Sequence, residues 1–233
     1  MDQALFHVIN QQWTNPVLDL FMAAISNVEI WKPVFLLVGL ALLIFGRFNG
    51  RVFVICLLFS LSVAEPVTNL LKTAIHRHRP KQVQVVRLVQ LQRTHPAFLT
   101  LFKKPAIRYS GPEDRNRSGP SFPSGHVTNN TVIAVCCTFF FRRRGWLYWI
   151  VTAAVGYSRI YLGAHWPSDV VATLFLAGGE TVLLLAAIEF LWRRFGPASM
   201  PEVYQRHPSL LNVGQVSHLP NYSRSQVKNL RQK

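Results

Sequence analysis

The feature that most limits the fold is the clustering of apolar residues into runs too long for a soluble core. Residues 32–46, 52–71, 126–141, 145–163 and 168–192 carry almost no charge. A run of about 18 or more such residues reads as a membrane span. Residues 16–30 form a shorter run that holds Asp19 and Glu29. Hydrophobic residues make up 50% of the 233 and charged residues 15%, against about 25% charged in an ordinary soluble domain. In lipid the backbone must satisfy its own hydrogen bonds, so the spans are helices. The expected fold is all-α: a polytopic membrane helical bundle of about six transmembrane segments. A long outer loop, from about 73 to 122, carries the first two motifs described below.

Three divisions follow. Residues 1–15 read as an amphipathic N-terminus lying in the membrane interface, with Leu5, Phe6, Ile9 and Trp13 on roughly one face. Residues 16–192 form the membrane-embedded domain. Residues 193–233 are polar, basic and poor in apolar side chains, so they are expected to be a disordered cytoplasmic tail. The segment MDQALFHVINQQW lacks a basic start and a long apolar stretch, so no cleavable signal peptide is expected. Cys56, Cys136 and Cys137 all sit in apolar segments, which argues against a disulfide framework.

The 25 Lys and Arg outnumber the 10 Asp and Glu. That balance suits anionic lipid or phosphate better than nucleic acid, because little of the chain lies outside the apolar runs. The linkers 47–51 and 142–144 and the segment from Arg193 are basic, and an alternating path puts all three on one side. The positive-inside rule makes that side cytoplasmic. The expected setting is therefore the plasma (inner) membrane, with the long loop facing outward or periplasmic and the C-terminus cytoplasmic.

Three constellations carry chemistry. The first is Lys72 and Arg79, seven apart and followed by Pro80. A helix reaching Arg79 would put both cations on one oxyanion. Alone, the pair reads equally as a basic anchor at the membrane edge. The second is Pro123-Ser124-Gly125-His126. Ser124 is a candidate N-cap, Gly125 leaves open N–H groups for an anion, and His126 stands beside them. Alone, this is also a capped helix start with an incidental histidine. The third is Arg159, His165 and Asp169. The last two share a face if one helix covers both, and a carboxylate beside an imidazole fixes its tautomer. A surface His–Asp pair at a helix N-terminus would look the same.

By the alternating path all three fall on one membrane face. Together they supply cations, a helix N-terminus, two histidines and a carboxylate, which is the inventory of phosphoryl transfer. In order and spacing they resemble the signature of the type 2 phosphatidic acid phosphatase superfamily, which includes vanadium haloperoxidases. The resemblance covers about residues 17–192 and departs at no signature position. It implies a metal-independent site without cofactor. It also implies roles: Lys72, Arg79, Ser124, Gly125 and Arg159 on phosphate, His126 as general acid, His165 as nucleophile and Asp169 as its partner. A phosphohistidine intermediate and an anionic lipid substrate follow: an isoprenyl diphosphate, a phosphatidylglycerol phosphate, a phosphatidate or a lipid A phosphate.

A lipid phosphotransferase is the alternative enzyme class; a non-catalytic lipid-binding protein is the alternative outside enzymes. Oligomeric state is not read. Glu180 is expected in a buried structural hydrogen bond, and Glu65 beside Lys72. His76 and His78 lack a carboxylate that would complete a metal site. Asn129 and Asn130 line the pocket or bridge helices. Loop 81–119 reads as an ordinary structured loop, with a lid as the alternative.

Overall fold

The computed structural model describes residues 1–92, 94–116 and 119–211. The chain opens with α1 (Asp2–His7), which runs into a π-helical turn over Val8–Gln12. Next come α2 (Pro16–Ile25) and α3 (Val28–Phe45). Asn15 caps α2 by accepting the Leu18 N–H at 2.8 Å, and Pro16 occupies the first helical position, where its missing N–H costs nothing. Asn27 starts α3 by accepting the Glu29 N–H at 3.1 Å. The long α4 covers Phe48–Ile75.

The connection to the second half holds α5 (Pro80–Val83), strand β1 (Arg87–Gln90), a 3-10 turn over Ala97–Phe102, strand β2 (Ala106–Tyr109) and α6 (Pro112–Asn116). The strands pair antiparallel, Arg87 opposite Tyr109. The described part of loop 81–119 contains two strands that an all-α reading omits. Then follow α7 (Gly125–Phe141), a 3-10 turn over Arg142–Leu147, α8 (Tyr148–Tyr161), α9 (Pro167–Ser199) and α10 (Pro201–Arg206).

The molecule is mostly helical. Among the described residues, three helices are long and apolar enough to cross a bilayer: α3, α4 and α9. The α2 helix is apolar but has 10 residues, α7 has 17 and α8 has 14, so six full spans are not seen by this measure. α3 turns Val34, Phe35, Leu36, Leu37 and Val38 outward. In water that surface would be a liability; in lipid it is the expected face of a span.

α4, α7 and α9 pack together as the centre of the bundle. Two apolar clusters fill it. One joins Phe6, Ile9, Met22, Val86, Leu88, Val127, Tyr161, Trp166 and Val170. The other joins Phe53, Cys56, Val132, Phe140, Leu185 and Leu211. The first cluster lies under the N-terminal turns of α7 and α9, where the motifs sit.

Three details differ from the sequence reading. Phe6 and Ile9 are buried, whereas Leu5 and Trp13 are exposed, so the four residues of the N-terminus do not form one interfacial face. The segment after Arg193 does not start as a disordered tail: α9 continues to Ser199, α10 follows, and Leu210 and Leu211 are buried. The Glu189 carboxylate holds this return by accepting the N–H groups of Leu210 at 2.8 Å and Leu211 at 3.2 Å. Residues 212–233 of the expected tail lie outside the described residues. Third, Asp19, which interrupts the apolar run 16–30, has a buried partner. It is buried on the Arg87 guanidinium at 2.6 Å and accepts the Tyr161 hydroxyl at 2.7 Å. This network fixes the hairpin to α2 and α8. Gly163 turns there with φ of +72°, and a side chain would press on the Arg87 carbonyl.

Candidate active site

The four helix ends that carry the signature meet at one mouth of the bundle. α4 does not extend to Arg79, as a shared-face argument would need. It stops at Ile75, where His76 takes a left-handed conformation with φ of 48°. The chain turns and Arg79 becomes the residue before α5. Pro80 accounts for part of this, since the residue before a proline is pushed out of the α region. Lys72 and Arg79 nevertheless remain within electrostatic reach of one another. The Arg79 guanidinium is propped by the carbonyls of Gly119 at 2.9 Å and Pro120 at 3.4 Å.

Ser124 stands at the N-cap of α7 as expected, but its side chain makes no capping bond. Its N–H donates to Thr173 Oγ1 at 3.1 Å, and its buried Oγ has no partner among the described residues. Over the same helix start, the Lys72 ammonium would lie 4.0 Å from a side chain placed at Gly125. His126 is half-buried on the first turn of α7, in electrostatic reach of Arg159, Arg79 and Lys72, with the Ser26 carbonyl on its ring. Asn130 donates to the His126 carbonyl at 2.8 Å and accepts the Tyr148 hydroxyl at 3.1 Å, so it bridges helices. Asn129 is exposed.

Arg159, near the end of α8, donates from Nη1 to Ser26 Oγ at 2.5 Å, while its buried Nε has no partner among the described residues. Its carbonyl accepts the N–H groups of Ala164 at 3.0 Å and His165 at 3.2 Å. That wraps the loop so that His165 points inward.

His165 is 2% exposed. Burial holds its imidazole well below the usual 6.5, and Arg159 and Arg79 push the same way; the Ser121 carbonyl opposes them. The ring is therefore neutral, with a lone pair to offer. His165 and Asp169 do not share a helix face, because α9 begins at Pro167. Nδ1 of His165 lies 4.0 Å from Asp169 Oδ2, beyond hydrogen-bond distance, and has no partner among the described residues.

Asp169 is instead the hub of its own network. Its Oδ2 accepts the Trp166 N–H at 3.0 Å and the Ser121 hydroxyl at 2.5 Å. Its Oδ1 accepts Arg77 Nη1 at 2.6 Å. Trp166 is buried beside it, with its indole N–H on the His78 carbonyl at 2.8 Å and Phe6 at 5.3 Å between ring centres.

All eight sequence-derived site residues thus belong to one region. Sequence reasoning missed Arg77, Ser121, Thr173, Ser26 and Asp2. Arg77 sits inside the first motif and looked like one more basic residue; the others carry no local signal. Glu65 is exposed and in reach of Lys72. Glu180 makes no structural hydrogen bond through Oε1, which is buried without a partner among the described residues, contrary to expectation. Among the described residues no three His, Cys, Asp or Glu side chains group closely enough to hold a metal ion.

A neutral buried imidazole facing a cluster of cations at a helix N-terminus, on a bundle with lipid-facing helices, defines an integral-membrane phosphatase. The chain belongs to the PAP2 superfamily, whose profile matches residues 53–193. It is a phosphoric ester hydrolase of that family. It is 26% identical over 172 residues to the lipid A 4'-phosphatase of Bacteroides thetaiotaomicron, covering 70% of this chain and 67% of that protein. It is 36% identical over 83 residues to the undecaprenyl-diphosphatase of Bacillus subtilis, covering 36% of this chain and 39% of that one. Among solved structures, LpxE of Aquifex aeolicus superposes with a TM-score of 0.57 at 22% identity, covering 79% of this chain and 94% of that one. That likeness speaks to the fold.

Proposed function

We propose that the protein hydrolyses a phosphate monoester or diphosphate on an anionic membrane lipid, through a phosphohistidine formed on His165. The observation that carries this reading is the buried, neutral His165 beside Arg159 and near the α7 N-terminus, where Arg159 Nε and the Ser124 hydroxyl have no partner among the described residues. These are the groups a phosphate's non-bridging oxygens would occupy. Lys72, Arg79 and Arg159 take the charge, and the Ser124 hydroxyl and open N–H groups near Gly125 complete the cradle. Charge stabilisation of this kind dominates phosphoryl transfer, and the chain's own cations supply it without a metal or cofactor.

His165 attacks phosphorus in line through Nε2, since Nδ1 faces Asp169. Asp169 orients the ring and balances the cation that forms. The phosphorus–oxygen bond to the leaving group breaks while His126 gives that oxygen a proton. His126 then takes a proton from water, which displaces the histidine and releases phosphate.

The substrate belongs to the envelope-lipid class. The relatives' names, a lipid A 4'-phosphatase and an undecaprenyl-diphosphatase, support that class. Water is the acceptor. The site faces the outer or periplasmic side of the plasma (inner) membrane, and the C-terminus faces the cytoplasm. The loop charges support that orientation.

The test uses the full chain in detergent. Phosphate release is measured from a panel of lipid monophosphates and diphosphates, with and without chelator, beside His165→Ala. Release by the wild type with chelator present and none by the variant is expected. Release from no lipid, or undiminished release by His165→Ala, overturns the reading.

A further inference from the structure

Asp169 is 0% exposed, and Arg77 is the guanidinium that reaches it. Arg77 stands at no signature position. Its Nη1 donates to Asp169 Oδ1 at 2.6 Å and to Ser168 Oγ at 2.9 Å; its Nη2 donates to Asp2 Oδ2 at 2.6 Å. Asp2 lies before the matched stretch of the family, yet it completes the arrangement. Its Oδ1 accepts the Ser168 N–H at 2.9 Å and its Oδ2 the Ser168 hydroxyl at 2.6 Å. A carboxylate there also satisfies an open donor of the first turn of α9 and complements the helix dipole.

The cations that act on His165 are Arg159 and Arg79, whereas Arg77 spends its donors on two carboxylates and Ser168. Its fork therefore works on the geometry of Asp169. With Oδ1 held by Arg77, the carboxylate plane is set and Oδ2 is turned toward Trp166 N–H, Ser121 and the His165 ring. Remove the guanidinium and Oδ1 loses its charged partner, leaving the carboxylate held through Oδ2 by the Trp166 N–H and the Ser121 hydroxyl about a last torsion that is soft. The carboxylate beside the imidazole is then less tightly oriented.

We propose that Arg77 is a positioning residue for the nucleophile and that Asp2, from the first helix, holds it in place. The inference rests on His165 being the nucleophile. It adds the N-terminal segment to the working parts of the enzyme, and it places one determinant of the rate outside the family's matched stretch. Arginine suits the task because a planar fork can serve two carboxylates at once, which a lysine ammonium on a flexible stem does far less well.

The experiment measures kcat and KM of the full chain in detergent on a lipid diphosphate, with Arg77→Ala, Arg77→Lys, Asp2→Asn and His165→Ala in parallel. Misplacing a reacting group by about 1 Å can cost about a hundredfold. Arg77→Ala is expected to lose about that much in kcat with KM nearly unchanged, because the phosphate contacts remain. Arg77→Lys should recover only part of the loss, and Asp2→Asn should lose about tenfold, again in kcat. Added guanidinium ion should restore activity to Arg77→Ala and leave His165→Ala inactive. A raised KM with kcat preserved would make Arg77 a phosphate ligand and overturn the inference. So would wild-type kinetics in both Arg77→Ala and Asp2→Asn, or a loss that guanidinium does not rescue and that tracks a lowered melting temperature. Activity in His165→Ala would overturn the functional reading itself, which separates the two failures.

Discussion

Two of the three carboxylates on α9, Asp169 and Glu189, stand twenty residues apart, about 30 Å along the helix, and each ties a distant piece of chain to it. Asp169, at the mouth, holds Arg77, Ser121 and Trp166. Glu189, toward the other end, holds Arg193, Ser209, Leu210 and Leu211. Both are fully engaged, so a carboxylate with many partners does not mark a site. What differs is the surroundings. Around Asp169 the buried Ser124 Oγ, Arg159 Nε and His165 Nδ1 have no partner among the described residues. Around Glu189 the neighbours are the apolar cluster of Phe53, Phe140, Leu185 and Leu211. Unspent donors cost stability. Four other buried atoms, Ser60 Oγ, Arg87 Nη1, Thr131 Oγ1 and Glu180 Oε1, also lack a partner among the described residues, but only at the mouth do such atoms stand beside a buried histidine and several cations.

That contrast is open to direct attack. Asp169→Asn should give the largest effect, a loss of about a hundredfold to a thousandfold in kcat, the scale of removing one preorganised electrostatic group. Steady-state rates on a lipid diphosphate check it. A loss under tenfold would make Asp169 as structural as Glu189.

His126→Ala should next separate substrates by leaving group. A diphosphate expels a phosphate whose second pKa is about 6, whereas a monoester expels a far more basic alkoxide. The loss in kcat on a monoester should exceed that on a diphosphate by at least about tenfold, general acids contributing about a hundredfold or more. Equal losses remove the general-acid assignment.

Ser124→Ala should raise KM about tenfold yet leave the protein as stable or about 1 kcal/mol more stable, because it removes a buried hydroxyl that has no partner among the described residues. Thermal melting beside kinetics reads both, and a destabilised Ser124→Ala would mean the hydroxyl already has work in the fold. Glu189→Gln should do the opposite, with kcat and KM unchanged. Its amide nitrogen would face the N–H donors of Leu210 and Leu211. A cost of about 2 kcal/mol lowers the melting temperature by about 4–8 °C in a chain of this size.

The smallest effect is in acid. His165 is held neutral in the fold, well below its usual 6.5, but takes a proton in the unfolded chain. Its contribution to stability is therefore complete above about pH 6.5 and is lost as pH falls below it. Between pH 7 and 5 the wild type's melting temperature should fall by more than that of His165→Gln. Asp2 behaves differently. Burial pushes its carboxyl up, but Ser168 and Arg77 outweigh that and hold it below the usual 3.8. The clamp therefore holds throughout that range and is lost only as pH falls below about 4.

The two ends also differ in how far sequence foretells them. The mouth was legible because phosphoryl transfer needs particular residue types at fixed spacing, and Lys72, Arg79, Ser124, Gly125, His126, Arg159, His165 and Asp169 all belong to one region. Their partners were not legible. Ser26 reaches Arg159 across 133 residues and Asp2 reaches Ser168 across 166, distances at which no local pattern survives. The helix break at His76 was hidden for a related reason: histidine enters the left-handed region more often than most residues, but nothing local says which histidine does. At the far end, apolar content alone suggested a loose tail from Arg193. It missed that one glutamate can hold backbone N–H groups of a polar segment and bring Leu211 into the core.

One buried side chain gives the molecule an optical reporter. Trp166 is 6% exposed and adjoins His165, whereas Trp13, Trp31 and Trp146 are open to their surroundings. Indole emission is sensitive to local polarity and charge, so phosphate arriving at His165, or loss of the Asp2 clamp at the start of the helix that sets Phe6 on Trp166, should register as a change in the blue edge of the fluorescence spectrum. The enzyme thus carries its own label at the point where occupancy matters, and binding can be followed without touching the substrate.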